Sequence, residues 1–292
     1  MFAGTHTAII TPFRDGQVDV KALKALIDRQ ADAGIDGIVP VGTTGESPTL
    51  DTAEHLAVIK HAVEFAAGRL KVIAGTGANA THEAIELTSE AERLGADATL
   101  QVCPYYNKPS QEGLYRHFKA VADATSLPVM LYSIPGRSVV EIAIETTVRL
   151  ASDCRNIKAI KEAGGSVDRV NQLVQAVPDG FEILSGDDPL TLPFLACGAT
   201  GLVSVAANLV PDVMARLVRA CLNGSFDEAL ELQKNYYPLF SALMTIDTNP
   251  VPIKGALALT GQCTDEIRLP LVALTPEKVE RLRTVLTDYE LL

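Results

Sequence analysis

The chain has 292 residues, of which 47% are hydrophobic and 21% charged, and its net charge is -11. This composition excludes a disordered or fibrous chain, and the acidic balance argues against nucleic-acid and membrane partners, because both are anionic. The length allows one α/β barrel of about 250 residues with an appendage. Residues 1–10 lack the basic and apolar regions of a secretion signal, which predicts a cytoplasmic protein.

Short apolar runs recur along the chain at a spacing of roughly thirty residues, as a βα repeat requires. They lack strict polar alternation, which is typical of parallel strands covered on both faces. Eight strands are predicted, at 7–11, 37–41, 71–74, 98–103, 129–133, 157–161, 182–185 and 201–205.

Helical patterns lie between these runs, for example at 20–33, 53–67, 80–94 and 112–124, with apolar residues at three- and four-residue spacing. Asp51 is a suitable N-cap, and Gly34, Gly68 and Gly95 suit helix ends. A strand followed by a helix, repeated eight times, predicts a closed (β/α)8 TIM barrel. An open doubly wound sheet is the alternative, and the eight units favour closure.

The pattern changes after residue 224, where helices are predicted at 225–244, 252–260 and 276–289 with no strand between them. We therefore predict a barrel at 1–224 that carries the active site, and a C-terminal helical region at 225–292. The uncharged stretch 189–211 is interrupted by prolines and glycines, so it is interpreted as barrel interior and not as a membrane span.

Several cofactor motifs are absent. The five cysteines are odd in number and scattered, which indicates neither disulfides nor a zinc site. The Gly42–Gly45 turn lacks the lysine of a phosphate-binding loop, and Ala80 occupies the third glycine position of a dinucleotide fingerprint. His82 and Glu83 are not followed by a second histidine at the required spacing. The sequence supports neither nucleotide binding nor metal catalysis.

Polar residues follow five of the predicted strands. In a barrel of this kind the active site lies at the carboxyl ends of the strands, so these residues are predicted to meet on one rim. They fall at 42–47, 104–107, 132–138, 161–162 and 185–188.

Lys161 ends the sixth predicted strand, before a glycine turn. Strand alternation places Ile157, Ala159 and Lys161 on one face and Lys158 on the other, so the two lysines cannot share a role. A sheltered lysine amine can attack a carbonyl when desolvation or a neighbouring cation lowers its pKa. An ordinary lysine at a strand end is the alternative, and for a lone lysine it is the commoner one.

Three neighbouring features allow a site around Lys161. The turn at Thr43 and Thr44 offers hydroxyls and main-chain N–H groups for a carboxylate, although a plain glycine turn is equally consistent. Tyr132 ends a strand and could carry a proton, or it could be a core tyrosine. Arg137 could bind a second carboxylate, or it could be a solvated loop residue. Only the combination favours a catalytic site.

The ordered motifs resemble those of the dihydrodipicolinate synthase family over the whole chain. They are Gly42-Thr-Thr-Gly-Glu46, Tyr105-Tyr106-Asn107, Tyr132-x-x-Pro-x-Arg137, Ile160-Lys161-Glu162 and Ser185-Gly-Asp-Asp188. The resemblance implies a Schiff-base aldolase with a barrel and a helical C-terminal region, usually a tetramer built from tight dimers.

By the same resemblance, Lys161 forms an imine with pyruvate, and Tyr132, Thr43 and Tyr106 form a proton relay. Tyr106 would be donated across the dimer interface. The family pattern further assigns pyruvate to Thr44 and the main chain of Val203, the pocket wall to Gly186, and the carboxylate of L-aspartate-4-semialdehyde to Arg137. No metal or organic cofactor is expected, because the protonated imine is itself the electron sink.

A lysine-feedback site is implied less firmly. Pro48 and Thr52 depart from the pattern of lysine-inhibited members, and Ser133 stands where asparagine is commoner. Lysine sensitivity is therefore a hypothesis. The residues that resemble the family's regulatory site are Ser47, His55, Asn79, Glu83 and Tyr105.

Two rival functions remain from the sequence. One is a different Schiff-base lyase, such as an N-acetylneuraminate lyase or a 2-keto-3-deoxy sugar acid aldolase, which typically resembles Gly-Ser-Thr-Gly-Glu in the first loop and lacks the arginine. The Gly-Thr-Thr-Gly-Glu loop of this chain and Arg137 argue against it. The other is a barrel that only binds a keto acid, which fold alone does not exclude.

Overall fold

The barrel is closed by eight parallel strands in a computed structural model that describes all 292 residues. Each strand pairs with its neighbours in chain order, and β1 pairs with β8 to complete the ring. The strands are β1 Gly4–Thr7, β2 Gly37–Ile38, β3 Lys71–Gly75, β4 Ala98–Val102, β5 Val129–Ser133, β6 Ile157–Glu162, β7 Glu182–Ser185 and β8 Gly201–Ser204. The predicted closed barrel is confirmed.

The first strand lies earlier than predicted, because it ends at Thr7, where the sequence predicts it to begin. Beyond Thr7 the N–H groups of Ala8 and Ile9 still bond to the carbonyls of Ser204 and Val39, at 2.8 and 3.2 Å. The N–H of Ile10 bonds instead to the side chain of Asn208 at 3.1 Å. Asn208 also donates to the carbonyl of Ala8 at 2.8 Å. One amide thus joins the chain after β1 to the chain after β8, where the barrel closes.

Helices surround the strands and alternate with them along the chain. Helix α2 begins at a capping box, in which Asp51 accepts from the N–H of Glu54 and the Glu54 side chain accepts from the N–H of Asp51. The helices up to the last strand are α1 Val20–Asp32, α2 Thr52–Ala66, α3 Thr81–Arg93, α4 Gln111–Asp123, the short α5 Pro135–Ser138, α6 Ile144–Asp153, α7 Val167–Ala176 and α8 Thr191–Ala196. A short hairpin, Phe13–Arg14 with Gln17–Val18, lies before α1.

The apolar residues form two layers. A cluster of 11 buried residues, including Tyr132, Ala159 and Val203, fills the barrel interior. A cluster of 60 buried residues lies between the strands and the helices and continues into the C-terminal part of the chain. A filled interior leaves room for chemistry only at the strand ends.

The predicted face of Ile157 is wrong. The pairing of β5 with β6 shifts between Val129 and Met130, so Lys158 is passed over in the ladder. Ile157 therefore packs with Ile160 in the outer layer, whereas Ala159 stays inside. An extra residue reverses the alternation on one side of it, and strand periodicity alone does not reveal this. The faces predicted for Ala159 and Lys161 are unaffected.

Four further helices complete the chain: α9 Pro211–Leu222, α10 Phe226–Thr245, α11 Val251–Leu259 and α12 Pro276–Asp288. Helix α10 packs against α9, and α11 packs against α12. The predicted division after residue 224 falls between α9 and α10, and the independence of the two parts stays a prediction. No helix combines the length and apolar character that a membrane crossing needs.

Candidate active site

Lys161 lies near the carboxyl end of β6 with its side chain inside the barrel, and the residue is 6% exposed. It is paired in register with Tyr132 of β5, and its Nζ lies 4.1 Å from the centroid of the Tyr132 ring. No hydrogen bond or ion pair within the chain engages this Nζ. Lys158 is exposed. A sheltered amine without a carboxylate partner is an arrangement suited to nucleophilic catalysis by lysine.

Gly186 makes room for the Lys161 side chain. It follows β7, which pairs with β6 so that Leu184 lies opposite Lys161. A Cβ at residue 186 would come within 2.8 Å of Lys161 Cε and 2.8 Å of Ala163 Cβ, closer than Cβ atoms approach such neighbours. The observed position of Lys161 therefore requires glycine at residue 186.

The loop after β2 is fixed by its own main chain. The N–H of Gly45 donates to Gly42 at 3.1 Å, and the N–H of Glu46 donates to Thr43 at 3.1 Å. The N–H groups of Thr43 and Thr44 have no acceptor within the chain, so both are available to a ligand. A fixed pair of N–H groups beside a hydroxyl suits a carboxylate, as the sequence predicts for this turn.

Glu46 fixes this loop through contacts with the C-terminal part of the chain. Its φ of 56° is in the left-handed region, which a side-chain-bearing residue adopts only when its surroundings hold it there. Its carboxylate pairs with Lys254 of α11 and accepts from the N–H of Arg268 at 3.1 Å. Both side chains of the pair are 1% exposed. The loop after β2 is thus joined to the C-terminal part of the chain by a buried ion pair.

One cavity of about 230 Å³ opens between the carboxyl ends of the strands. Its wall brings together several residues that the sequence places at a site, namely Thr43, Ser47, Tyr105, Tyr132 and Arg137. Lys161, Thr44, Gly186 and Val203 are not part of that wall. Lys161 nevertheless lies beside it, because its Nζ is 4.1 Å from the centroid of the Tyr132 ring, and Tyr132 lines the cavity.

Thr44 and Arg137 are held by one residue that the sequence did not single out. The Nδ2 of Asn249 donates to Thr44 Oγ1 at 3.0 Å, and Arg137 Nη2 donates to the main-chain carbonyl of Asn249 at 2.9 Å. Asn249 lies between α10 and α11 and is 8% exposed. Thr44 is 3% exposed, whereas Arg137 reaches the solvent-facing side of the rim.

Tyr106 lies apart from the other proposed members of the relay. It is 89% exposed and has a φ of 74°. The turn around it is tied down, since Asn79 donates to the carbonyl of Tyr105 at 3.2 Å and Asn107 donates to that of Asn79 at 2.8 Å. No hydrogen bond joins the hydroxyls of Tyr132, Thr43 and Tyr106 within one chain. The Tyr106 side chain therefore projects into solvent from a turn that is fixed by hydrogen bonds.

The predicted regulatory residues lie on the cavity wall or next to residues that form it. Ser47 and Tyr105 line the cavity, and Asn79 contacts the main chain of Tyr105. Burial raises the pKa of Tyr105, and the negative charge of Glu83 raises it further. His55 is turned inward, where its Nε2 lies 2.8 Å from the carbonyl of Gly75 and burial lowers its pKa.

Two carboxylates of the sequence motifs support the rim. Glu162 accepts from Gly164 at 2.7 Å and from Arg169 at 2.9 Å, and burial raises its pKa. Asp188 accepts from Ser204 at 2.6 Å and from two main-chain N–H groups after β8, and burial raises its pKa to about 6. Asp188 thus connects the ends of β7 and β8, whereas Glu162 connects the end of β6 to its own loop and to α7.

Other predicted positions are inside the barrel wall. Val203 is fully buried in the interior layer beside Ala159 and Leu184. Ser133, which differs from the commoner family residue, has a buried Oγ with no hydrogen-bond partner. No group of three or more His, Cys, Asp or Glu side chains is placed to hold a metal ion.

Asn249 and Lys254 are the two site-supporting residues that sequence reasoning missed. A weak signal existed for Lys254, which is the only charged residue of α11, a helix otherwise composed of apolar residues and glycine. Asn249 offered no local signal, because its partner Thr44 lies 205 residues earlier in the chain.

The fold and the site define a class: a (β/α)8 barrel enzyme with an unpaired lysine inside the barrel, near the carboxyl ends of the strands. The chain belongs to the dihydrodipicolinate synthetase family, whose model matches residues 1–289.

Individual relatives match over nearly their whole length. A protein from Persephonella marina, named 4-hydroxy-tetrahydrodipicolinate synthase, is 54% identical over 293 residues and covers 100% of both chains. The structure of the enzyme of that name from Methylacidiphilum fumariolicum is 56% identical with a TM-score of 0.98, covering 99% of this chain and 96% of that one. A dihydrodipicolinate synthase from Acinetobacter baumannii, solved in complex with pyruvate, is 43% identical with a TM-score of 0.97 and full coverage of both chains.

Proposed function

We propose that the chain condenses pyruvate with L-aspartate-4-semialdehyde through a Schiff base, giving 4-hydroxy-tetrahydrodipicolinate in the diaminopimelate pathway to lysine. The observation that carries the proposal is the free amine of Lys161 against the ring of Tyr132, in a chain of this family. The names of the relatives and the pyruvate complex of one of them support the choice of substrates. A cytoplasmic location is part of the proposal.

Pyruvate binds first, with its carboxylate on the loop after β2. The N–H groups of Thr43 and Thr44 and the Thr44 hydroxyl are the donors available there. The amine of Lys161 adds to the ketone carbon, and loss of water gives a protonated imine. Gly186 keeps the space that the lysine side chain needs for this attack.

The protonated imine withdraws electrons from the pyruvate methyl group. Tyr132, through Thr43 and Tyr106, removes a methyl proton and leaves an enamine, whose carbon attacks the aldehyde of the second substrate. The proton returns to the new alkoxide. The amino group of the second substrate then attacks the imine carbon, which closes the ring and releases Lys161. The imine is the electron sink, so the scheme uses no metal or organic cofactor.

Arg137 selects the second substrate. Arg137 lines the same cavity as Tyr132, and its guanidinium is suited to a carboxylate because it donates in a planar fork. Aspartate semialdehyde carries a carboxylate beyond the aldehyde, whereas the sugar acids of related lyases present hydroxyl groups. Arg137 therefore favours the former, and a sugar-acid lyase is the rival that the experiment must exclude.

The active unit is a dimer in which Tyr106 of one chain enters the site of the other. The exposure of this side chain on a tied turn supports the proposal. Mixing the inactive variants Tyr106→Phe and Lys161→Ala after reversible dissociation should restore activity, since each mixed dimer contains one site with both native residues. If mixing restores nothing, while each variant still exchanges subunits, Tyr106 does not act across an interface. Assembly of two dimers into a tetramer is part of the same proposal.

The function is tested by turnover with a panel of aldehydes. Purified protein with pyruvate should consume aspartate semialdehyde and show no appreciable cleavage of N-acetylneuraminate or 2-keto-3-deoxy sugar acids. Borohydride added with pyruvate alone should increase the protein mass by one reduced pyruvate adduct. A protein that forms the adduct but acts only on sugar acids would establish the rival lyase, and a protein that forms none is not a Schiff-base enzyme.

Feedback by lysine is a separate part of the proposal. The position of Ser47 and Tyr105 on the cavity wall supports it, because a ligand there lies within the same cavity as Thr43 and Tyr132. Added L-lysine should then lower the steady-state rate. Full activity at about millimolar lysine, where KM values of enzymes often lie, excludes this regulation.

A further inference from the structure

Asn249 connects two parts of the active site that are distant in sequence. Its side chain donates to Thr44 on the loop after β2, and its main-chain carbonyl accepts from Arg137 after β5. The residue itself belongs to the segment between α10 and α11, outside the barrel repeat. In the proposed function Thr44 contacts pyruvate and Arg137 contacts the aldehyde substrate, so one residue supports both binding positions.

The direction of the bond to Thr44 has a chemical consequence. A hydroxyl has one proton and two acceptor lone pairs. Because the amide of Asn249 donates to Thr44 Oγ1, the hydroxyl proton of Thr44 stays available for an acceptor in the site. A carboxylate ligand is such an acceptor. The Asn249 amide thus fixes both the position and the polarity of the Thr44 hydroxyl.

The amide is also incompletely satisfied. Asn249 Oδ1 is buried and has no hydrogen-bond partner within the chain. A buried acceptor without a partner costs free energy, so stability alone does not select an amide at this position. An unsatisfied amide aimed at a ligand-binding hydroxyl is more consistent with a role in the site.

We propose that Asn249 is a positioning residue for the pyruvate site, which acts by orienting the Thr44 hydroxyl as a donor to the pyruvate carboxylate. It does not touch the reacting atoms. The proposal rests on the proposed function, since it takes pyruvate as the ligand of Thr44.

The test compares Asn249→Ala and Asn249→Asp with the unchanged protein. Pyruvate affinity is measured without the aldehyde, from the rate of borohydride inactivation at increasing pyruvate concentration. Asn249→Ala should weaken pyruvate binding about fivefold, the usual effect of one neutral hydrogen bond. Asn249→Asp should weaken it more, because an aspartate accepts the Thr44 proton and places a negative charge near the pyruvate carboxylate. The KM for the aldehyde should change less, since the main-chain contact to Arg137 remains.

A double-mutant cycle with Thr44→Val separates this role from a general effect on folding. In the Thr44→Val protein there is no hydroxyl to orient, so adding Asn249→Ala should change pyruvate affinity by less than about twofold. Additive losses, or an Asn249→Asp variant that binds pyruvate as well as the unchanged protein, would overturn the proposal. A variant that unfolds is replaced by Asn249→Asp, which is nearly the same shape, and thermal unfolding is recorded for each.

Adduct formation by the wild-type protein distinguishes a failure of the proposed function from a failure of the role proposed for Asn249. If it forms no adduct with pyruvate, the proposed function fails before Asn249 is tested. If it forms the adduct and the cycle is additive, only the role of Asn249 fails.

Discussion

Two buried lysines of this chain are alike in their burial and in having an aromatic neighbour, but the roles we assign to them differ. Lys161 in the active site is 6% exposed and Lys254 at the junction with α11 is 1% exposed. Each Nζ lies 4.1 Å from the centroid of an aromatic ring, Tyr132 for the first and Phe13 for the second. Burial and an aromatic neighbour therefore do not distinguish a catalytic lysine from a structural one.

The polar partners distinguish them. Lys254 is paired with the carboxylate of Glu46 and donates to the carbonyl of Glu266 at 2.9 Å. Burial lowers the pKa of Lys254, and Glu46 opposes that change. Lys161 has no such partners. A lysine held by a carboxylate serves as a fixed charge, whereas one without a partner is left free to react with a carbonyl.

The largest effect is expected from removing the active-site lysine. Lys161→Ala should lose turnover completely and form no adduct with pyruvate, because no other amine is placed to replace it. Its unfolding free energy should change little, since no ion pair is broken. Turnover and intact mass after borohydride treatment check this. Residual adduct formation would show that a second lysine reacts.

Replacing Lys254, the lysine at the junction with α11, should mainly reduce the stability of the protein. Lys254→Met leaves the Glu46 carboxylate buried without its partner, which typically costs about 3–5 kcal/mol. Denaturant unfolding measures the loss. The double variant Glu46→Gln with Lys254→Met should recover most of it, because the uncompensated charge is gone. If Lys254→Met remains stable but loses adduct formation, the distinction between the two lysines is wrong.

The space around Lys161 is tested at the glycine beside it. Gly186→Ala places a Cβ against Lys161 Cε and should displace the amine, and a misplacement of about 1 Å costs on the order of 100-fold in rate. Gly136→Ala is the matched control, because a Cβ there meets no atom within 4 Å. The rate of borohydride trapping compares them, and equal rates would show that the glycine has no role.

The smallest effect is expected at the lysine next to the nucleophile in sequence. Lys158 is exposed on β6, so Lys158→Ala should leave adduct formation and turnover unchanged and shift stability by no more than about 0.5 kcal/mol. Steady-state kinetics measures this. A loss comparable to that of Lys161→Ala would mean that the strand face was assigned wrongly.

The local sequence pattern predicted the barrel and several residues of the candidate site. Periodicity predicted eight strands, although the first lies earlier than predicted, and the strand ends predicted that Thr43, Tyr132 and Arg137 would share one rim. The position of Lys161 inside and Lys158 outside followed from alternation, although the register shift before Ala159 reversed Ile157. Such a shift depends on the pairing of two strands, which neither strand shows by itself.

Long-range polar contacts were not predictable in the same way. Glu46 and Lys254, and Thr44 and Asn249, are each separated by more than 200 residues, and no spacing rule relates them. These contacts arise because α11 and the segment before it pack onto the barrel rim. They hold the loop after β2 from outside the barrel repeat.

The distinction between the two lysines is tested most directly by mapping the reduced pyruvate adduct on the protein. Borohydride is added with pyruvate, the protein is digested, and every lysine-containing peptide is quantified by mass spectrometry. The adduct should lie on Lys161 alone, with Lys254 and Lys158 unmodified. An adduct on Lys254, or adducts spread over several lysines, would contradict the conclusion that a missing carboxylate partner marks the reactive lysine.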